Sequence, residues 1–331
     1  FMDEKLLATT PLAWQARNPQ PATRNPQLAT RNPQPATRNP QQKSLRSQVS
    51  GLASQVFHLA SFNYFWRKRE LMLIDTHAHL YAKAFDGDRE AMLERAAAEG
   101  VIRFYLPNVD RESIAAMLNL EEAHPDRCFA MMGVHPCSVK ENYREELAVV
   151  EAWLSKRPFC AIGEIGIDLY WDKTHVAEQQ AAFKIQLNWA KDLGIPVVIH
   201  SRESTEMILE ILKEEQDGRL KGILHCFTGT AEQGSAAIDI NFLLGIGGVL
   251  TYKNSGLAET VVQLPVSKLV LETDAPYLSP VPHRGKRNES SYLRMIINKL
   301  SEVTGVAVTE LEQITTQNAL VLFGHQNDLA D

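Results

Sequence analysis

Long apolar runs are missing. No stretch of the 331 residues approaches the ~18 consecutive apolar residues of a membrane span, so no membrane-crossing helix is expected. Cysteine is scarce: Cys128, Cys137, Cys160 and Cys226 lie far apart with no C-x-x-C pair, which excludes a disulfide framework and a zinc ribbon. Thiols spaced in this way are expected to be mostly buried and to belong to a reducing compartment, and the expected location is cytoplasmic. A surplus of basic charge is also absent. With 34 Lys+Arg against 40 Asp+Glu the formal net charge is −6, which argues against a large non-specific nucleic-acid surface. No G-x-G-x-x-G follows the first predicted strand, which weakens a dinucleotide-binding reading. What is present is an ordinary globular composition, 44% apolar and 22% charged, on a chain long enough for a substantial core.

The charge is unevenly spread. Residues 1–71 carry ten Lys/Arg and three Asp/Glu, whereas 72–331 carry 24 and 37. The first segment repeats a seven-residue unit, Arg17-Asn18-Pro19-Gln20-Pro21-Ala22-Thr23, restarting at Arg24, Arg31 and Arg38. Proline in every unit excludes a helix and therefore a coiled coil. With almost no core-forming residues the repeat reads as a disordered, partly polyproline-like extension. Residues 51–66 are apolar and aromatic and precede Arg67-Lys68-Arg69. One reading is a targeting or membrane-surface segment. The preferred one is translated upstream sequence, with Met72 as the natural start. No basic stretch leads into an apolar run with a small-residue cleavage site, so a secretory signal is not expected. The expected domains are thus 1–71, an extension of low complexity, and 72–326, a folded domain.

From Met72 onward, short apolar runs recur: Met72–Asp75, Ile102–Leu106, Cys128–Gly133, Phe159–Gly163, Pro196–His200, Gly222–His225, Phe242–Ile246 and Lys268–Glu272. Amphipathic stretches separate them, such as Asp88–Glu99 closed by Gly100 and Val176–Asp192 closed by Gly194. Continuous apolar strands alternating with helices imply buried parallel strands. Eight such units predict an α/β fold, a (β/α)8 barrel of the TIM type, rather than a doubly wound sheet.

Active-site groups of such barrels sit at the C-terminal ends of strands. The predicted strand ends carry His77 and His79, Glu164, His200, His225 and Asp274. Residues at i and i+2 of an extended chain share a face, so His77 and His79 can grip one ion. His200 and His225 can grip a second, and Glu164 between them can bridge two. Imidazole and carboxylate donors suit zinc, manganese or magnesium-like divalent ions. A lone histidine ending a strand is usually structural; six donor side chains converging on one rim are not readily accidental.

These segments carry a resemblance. Ile74-Asp75-Thr76-His77-Ala78-His79, Gly133-Val134-His135-Pro136, Gly163-Glu164-Ile165-Gly166-Ile167-Asp168, Ile199-His200-Ser201-Arg202, His225-Cys226-Phe227-Thr228-Gly229 and Glu272-Thr273-Asp274-Ala275-Pro276-Tyr277 resemble the TatD family of metal-dependent hydrolases, many of them deoxyribonucleases. The likeness spans about residues 72–325 and stops short of 1–71. It implies two divalent ions, one on His77, His79, Glu164 and Asp274, the other on Glu164, His200 and His225. It also implies DNA as substrate, most naturally single strands or strand ends, with Asp274 and Glu164 as catalytic residues. No membrane association and no obligate protein partner is expected.

Histidine ligands need partners on their second ring nitrogen, and Asp75 and Asp168 are the candidates. Glu272 and Thr273 better suit support of the strand end. Phosphate contacts are expected from Arg202, two residues beyond His200, and from Arg284, Lys286 and Arg287 after strand eight. His135 either touches substrate or is structural, and Tyr277 either stacks on a base or packs. The alternative function is a metal-dependent amide or ester hydrolase of a small molecule on the same donor set.

Overall fold

The computed structural model describes residues 72–325; the expected extension 1–71 lies outside the described residues. Eight parallel strands follow one another: β1 Leu73–Asp75, β2 Val101–Leu106, β3 Cys128–Ala130, β4 Ile162–Asp168, β5 Val197–Arg202, β6 Gly222–Leu224, β7 Phe242–Ile246 and β8 Leu269–Leu271. Ladders join β1 to β3 and β4 to β8. Backbone hydrogen bonds close the two seams. Met132 N donates to Ala161 O (3.1 Å) and Gly163 N to Met132 O (3.2 Å), while Thr76 N donates to Leu271 O (3.0 Å). The result is the closed barrel expected from the sequence.

Helices alternate with the strands: α1 Arg89–Ala98, α2 Ile114–Ala123, α3 Tyr143–Leu154, α4 Val176–Leu193, α5 Thr205–Glu215, α6 Ala231–Asp239, the short α7 Leu257–Val261, then α8 Leu293–Thr304 and α9 Val308–Phe323. The glycine stops behave as expected: Gly194 closes α4 in the left-handed conformation with φ 69°. No helix among the described residues is long and apolar enough to cross a membrane. The four cysteines are unpaired, and burial pushes up the thiols of Cys128, Cys160 and Cys226.

Two apolar clusters result. The larger lies between strands and helices; the smaller contains Ile74, Tyr105, Met131, Ala161, Val198, Ile223 and Val270 together with Ala319, Leu320 and Phe323 of α9. The smaller cluster is the barrel interior, one side chain from nearly every strand, with α9 closing the bottom. That layer sets the site above it. Successive inward side chains are two residues apart, so Val198 places His200, Ile223 places His225 and Val270 places Glu272 in the next layer up.

The fourth strand departs from expectation. It starts at Ile162 and runs through Glu164 to Asp168 instead of ending at Gly163. Its register against β5 slips by one residue between Gly163 and Ile165, so Glu164 is the extra residue of a bulge. A bulge lets a polar residue sit inside an otherwise apolar ladder and re-aims its side chain. An apolar run read along one dimension shows only the interruption.

Asp75 ties the β8–β1 seam. Its Oδ1 accepts from Thr273 N (2.9 Å), and its Oδ2 accepts from Thr273 Oγ1 (2.6 Å) and Ser290 Oγ (2.7 Å). It is fully buried, and that burial pushes its carboxyl up to about 7 against the three donated bonds. Asp75→Ala strands these donors in the interior, at about 1–3 kcal/mol for each group left unpaired. We expect thermal unfolding to fall by roughly 6–12 °C for a loss of about 3 kcal/mol in a domain of this size. An unchanged melting temperature would mean that the seam closes without Asp75.

Candidate metal centre

Glu164 stands at the middle of the barrel mouth, 2% exposed. Its two oxygens face different partners. Oε2 lies 3.1 Å from His77 Nε2 and 3.5 Å from His79 Nε2. Oε1 lies 2.9 Å from His200 Nδ1, 3.1 Å from His225 Nε2 and 3.3 Å from His135 Nε2. Asp274 Oδ1 completes the first group, 3.7 Å from His77 Nε2 and 3.6 Å from His79 Nε2. The six expected donors are thus brought together, and His135 joins them.

Four of the rings, His79, His200, His225 and His135, have a second nitrogen with an assignable role. Tyr81 OH donates its single proton to Pro107 O (2.6 Å) and so accepts from His79 Nδ1 (3.0 Å), which leaves His79 Nε2 as a free lone pair. Asp168 Oδ2 accepts from His200 Nε2 (2.9 Å), freeing Nδ1 toward Glu164. Glu272 Oε1 accepts from His225 Nδ1 (3.2 Å) and from Cys226 N, freeing His225 Nε2. His135 is wired the other way. Its Nδ1 accepts from Cys137 N (3.0 Å), so the neutral ring carries its proton on Nε2 and presents a donor to the centre. Of the two carboxylates expected to hold histidines, Asp168 does so and Asp75 serves the seam instead. Tyr81 went unpredicted, although its i+2 spacing from His79 is the signal that it shares that face.

His77 has no hydrogen-bond partner on either ring nitrogen although both are buried, and Glu272 Oε2 is likewise buried and unpartnered. Buried polar atoms are rarely left unpaired. Donor atoms of His77, His79 and Asp274, and of His77, Glu164 and His225, lie within 4.8 Å of one another. Nitrogen and oxygen donors so gathered, with a bare imidazole among them, fit divalent cations. The electrostatics agree. Burial opposes ionisation of Glu164, but the surrounding imidazoles hold its carboxyl well below the usual range. Asp274 is also held low, burial again being outweighed by His79 and the other rings. Burial and the adjacent His225 lower His77, whereas carboxylates outweigh burial and raise His200 and His225.

Two glycines make the room. Gly166 has φ 141°, and a Cβ there would lie 2.0 Å from His200 O, so only glycine lets β4 pass the strand that carries His200. A Cβ on Gly245 would lie 2.2 Å from Glu272 Oε2, the carboxylate that holds His225.

The basic side chains are more dispersed. Arg202 is exposed and stacks on the Tyr170 ring, 3.8 Å from its centroid. Arg284 is exposed and stacks on Tyr252 (4.5 Å), and Lys286 is exposed. Arg287 is engaged: its guanidinium pairs with Asp88 (2.5 Å) and Glu289 (3.5 Å) and covers Phe85, which anchors the loop to α1. Tyr277 is 58% exposed, its ring edge-on to His79 at 5.9 Å.

Tyr81→Phe should keep the fold and lower divalent-cation affinity about 10- to 100-fold, the usual cost of losing an orienting partner. Isothermal titration with Zn2+ or Mn2+ checks this, and wild-type affinity would show that Tyr81 does not set the His79 tautomer.

The chain is similar to known proteins. The family profile described as TatD related DNase matches residues 74–324. A metal-dependent hydrolase of Bacillus subtilis, YabD, is 40% identical over 76% of this chain and 99% of its own. A protein of Pantoea ananatis named 3'-5' ssDNA/RNA exonuclease TatD is 32% identical over 76% of this chain and 99% of its own. The crystal structure of YJJV, a TatD homologue of Escherichia coli K12, superposes with a TM-score of 0.72 at 32% identity over 76% of this chain and 98% of that one. With the match spanning the whole barrel, the chain belongs to the TatD family of metal-dependent hydrolases.

Proposed function

We propose that the barrel hydrolyses phosphodiester bonds of DNA, taking single strands or strand ends, with two divalent ions of the zinc, manganese or magnesium type. The observation that carries the two-ion reading is Glu164, whose oxygens address separate donor groups. His77, His79, Asp274 and Glu164 Oε2 would hold one ion; His200, His225 and Glu164 Oε1 would hold the other. Such ions supply Lewis acidity toward a phosphoryl oxygen and lower the pKa of water near neutrality. The DNA reading is supported by the exonuclease name of the Pantoea relative and by the donors around the mouth. A cytoplasmic location suits four unpaired thiols.

The chain's own residues divide the remaining work. Asp274 is ionised and partly open to solvent, its side chain 13% exposed, so it is placed to take the proton of an attacking water. Its φ of 57° is held by a hydrogen bond from its own N to His77 O (2.9 Å), which fixes the carboxylate toward the histidine pair. His135 Nε2–H donates toward Glu164 and would donate to a phosphoryl oxygen placed there. Arg202, Arg284 and Lys286 offer cationic contacts to flanking phosphates. Arg287 serves this function through the loop it anchors.

Glu164→Gln should abolish turnover and reduce bound metal, because a neutral amide cannot bridge two cations. The check is metal content by mass spectrometry beside cleavage of a labelled single-stranded oligonucleotide and of small ester and amide substrates. Full activity with two metals bound would refute the bridge, and cleavage of the esters or amides alone would favour the small-molecule reading. We further propose that the hydrolase domain is self-sufficient. Residues 72–331 alone should fold and keep full turnover, read by thermal unfolding and kcat/KM; a large loss would make 1–71 part of the working enzyme.

A further inference from the structure

The loop after β4 presents two large aromatic side chains to solvent, Tyr170 at 49% exposure and Trp171 at 69%. Exposure of this size on adjacent aromatics needs a reason, since their apolar area gains most when covered. Their rings are T-shaped to each other, with centroids 4.9 Å apart. The Arg202 guanidinium lies 3.8 Å from the Tyr170 centroid and 5.3 Å from that of Trp171. Among the described residues no carboxylate pairs with Arg202, while the neighbouring acids are already matched: Asp172 with Lys140 (2.9 Å) and Glu203 with Lys173 (3.7 Å). A cleft of about 530 Å3 opens beside Arg202, walled by Ser201, Thr228, Thr230, Ser255 and Thr260.

The cluster is fastened to the metal centre by one carboxylate. Asp168 Oδ1 accepts from the backbone N–H of Tyr170 (2.9 Å) and of Trp171 (3.0 Å), while Asp168 Oδ2 accepts from His200 Nε2 (2.9 Å). Asp168 and Arg202 are register partners across β4 and β5. The aromatic pair, the free cation and a histidine of the metal centre therefore hold fixed positions relative to one another.

The geometry points to a nucleotide subsite on Trp171, Tyr170 and Arg202, in which an unpaired base stacks on the Trp171 ring and Arg202 contacts the adjoining phosphate, placing the next phosphodiester at the metal centre. The inference rests on the nucleic-acid reading above and narrows it. A base can lie flat on an exposed ring only when it is free of a partner strand, so the subsite selects single strands or frayed ends of DNA or RNA.

Anisotropy of fluorescent oligonucleotides under chelation tests the subsite without any need for turnover. The full chain, Trp171→Ala and Trp171→Phe are compared on a base-bearing strand and on an abasic strand of equal length and charge. We expect the wild type to bind the base-bearing strand about tenfold more tightly than the abasic one, Trp171→Ala to lose that ratio and Trp171→Phe to retain most of it. A turnover arm follows the ratio of kcat/KM on the oligonucleotide to that on a small diester without bases, which should fall about tenfold in Trp171→Ala. Equal binding of both strands by the wild type, or a Trp171→Ala loss that is the same on both, overturns the subsite. Base discrimination through Trp171 without metal-dependent cleavage overturns the nuclease reading and leaves the subsite standing. Ribose and deoxyribose strands in parallel identify the preferred polymer.

Discussion

A carboxylate buried at the centre of a barrel must be neutralised, and the arrangement around Glu164 follows from that requirement. An ionised carboxyl moved out of water costs several kcal/mol unless it is paired. Glu164 meets the condition with histidines from β5 and from the chain just beyond β6 and β1. Only the carboxyl-terminal rim of a closed barrel lets that many different strands address one point. The bulge delivers the side chain to that point without ending the strand. Gly166, two residues later, allows β4 to close on β5 at the height where His200 enters.

Buried imidazoles are useful as donors only when each proton is on the correct nitrogen. Tyr81, Asp168 and Glu272 fix three rings with lone pairs inward, and Cys137 N fixes His135 with a proton inward. One residue type thus serves two opposite purposes within a few ångströms. The difference lies in whether the outer partner accepts or donates. A substrate anion needs donors where a cation needs lone pairs, and the His135 tautomer turns a donor toward the candidate metal centre.

Much of this was legible in the chain, because strand runs and the residues that terminate them are local signals. His200 and His225 end apolar runs, and the inward two-residue step from Val198 and Ile223 places them, while His77 and His79 lie just past the end of the first run. Glu164 is legible by its residue type, but the extent of its strand is not, since a bulge depends on the register of the neighbouring strand. Arg287 read as a phosphate contact because its loop is basic. Its partner Asp88 lies 199 residues earlier, beyond the reach of any local pattern. Asp75 stands two residues before His77, a spacing that would share its face on a continuous strand, but β1 ends at Asp75, so the alternation stops there and the carboxylate serves the closing seam.

The same logic sets apart the two ends of Asp168. Its Oδ2 orients the His200 imidazole at the candidate metal centre, which demands rigidity, and its Oδ1 caps the turn that exposes Tyr170 and Trp171. Substrate-contacting loops are ordinarily the mobile part of a barrel, free to vary while the strands stay fixed. Here the loop's first turn is bonded to the strand-end carboxylate, so its aromatic face inherits the precision of the strand. A misplacement of about 1 Å between substrate and reacting groups can cost a hundredfold in rate. One carboxylate shared between the proposed binding face and the candidate metal centre is a direct way for a loop to meet that tolerance.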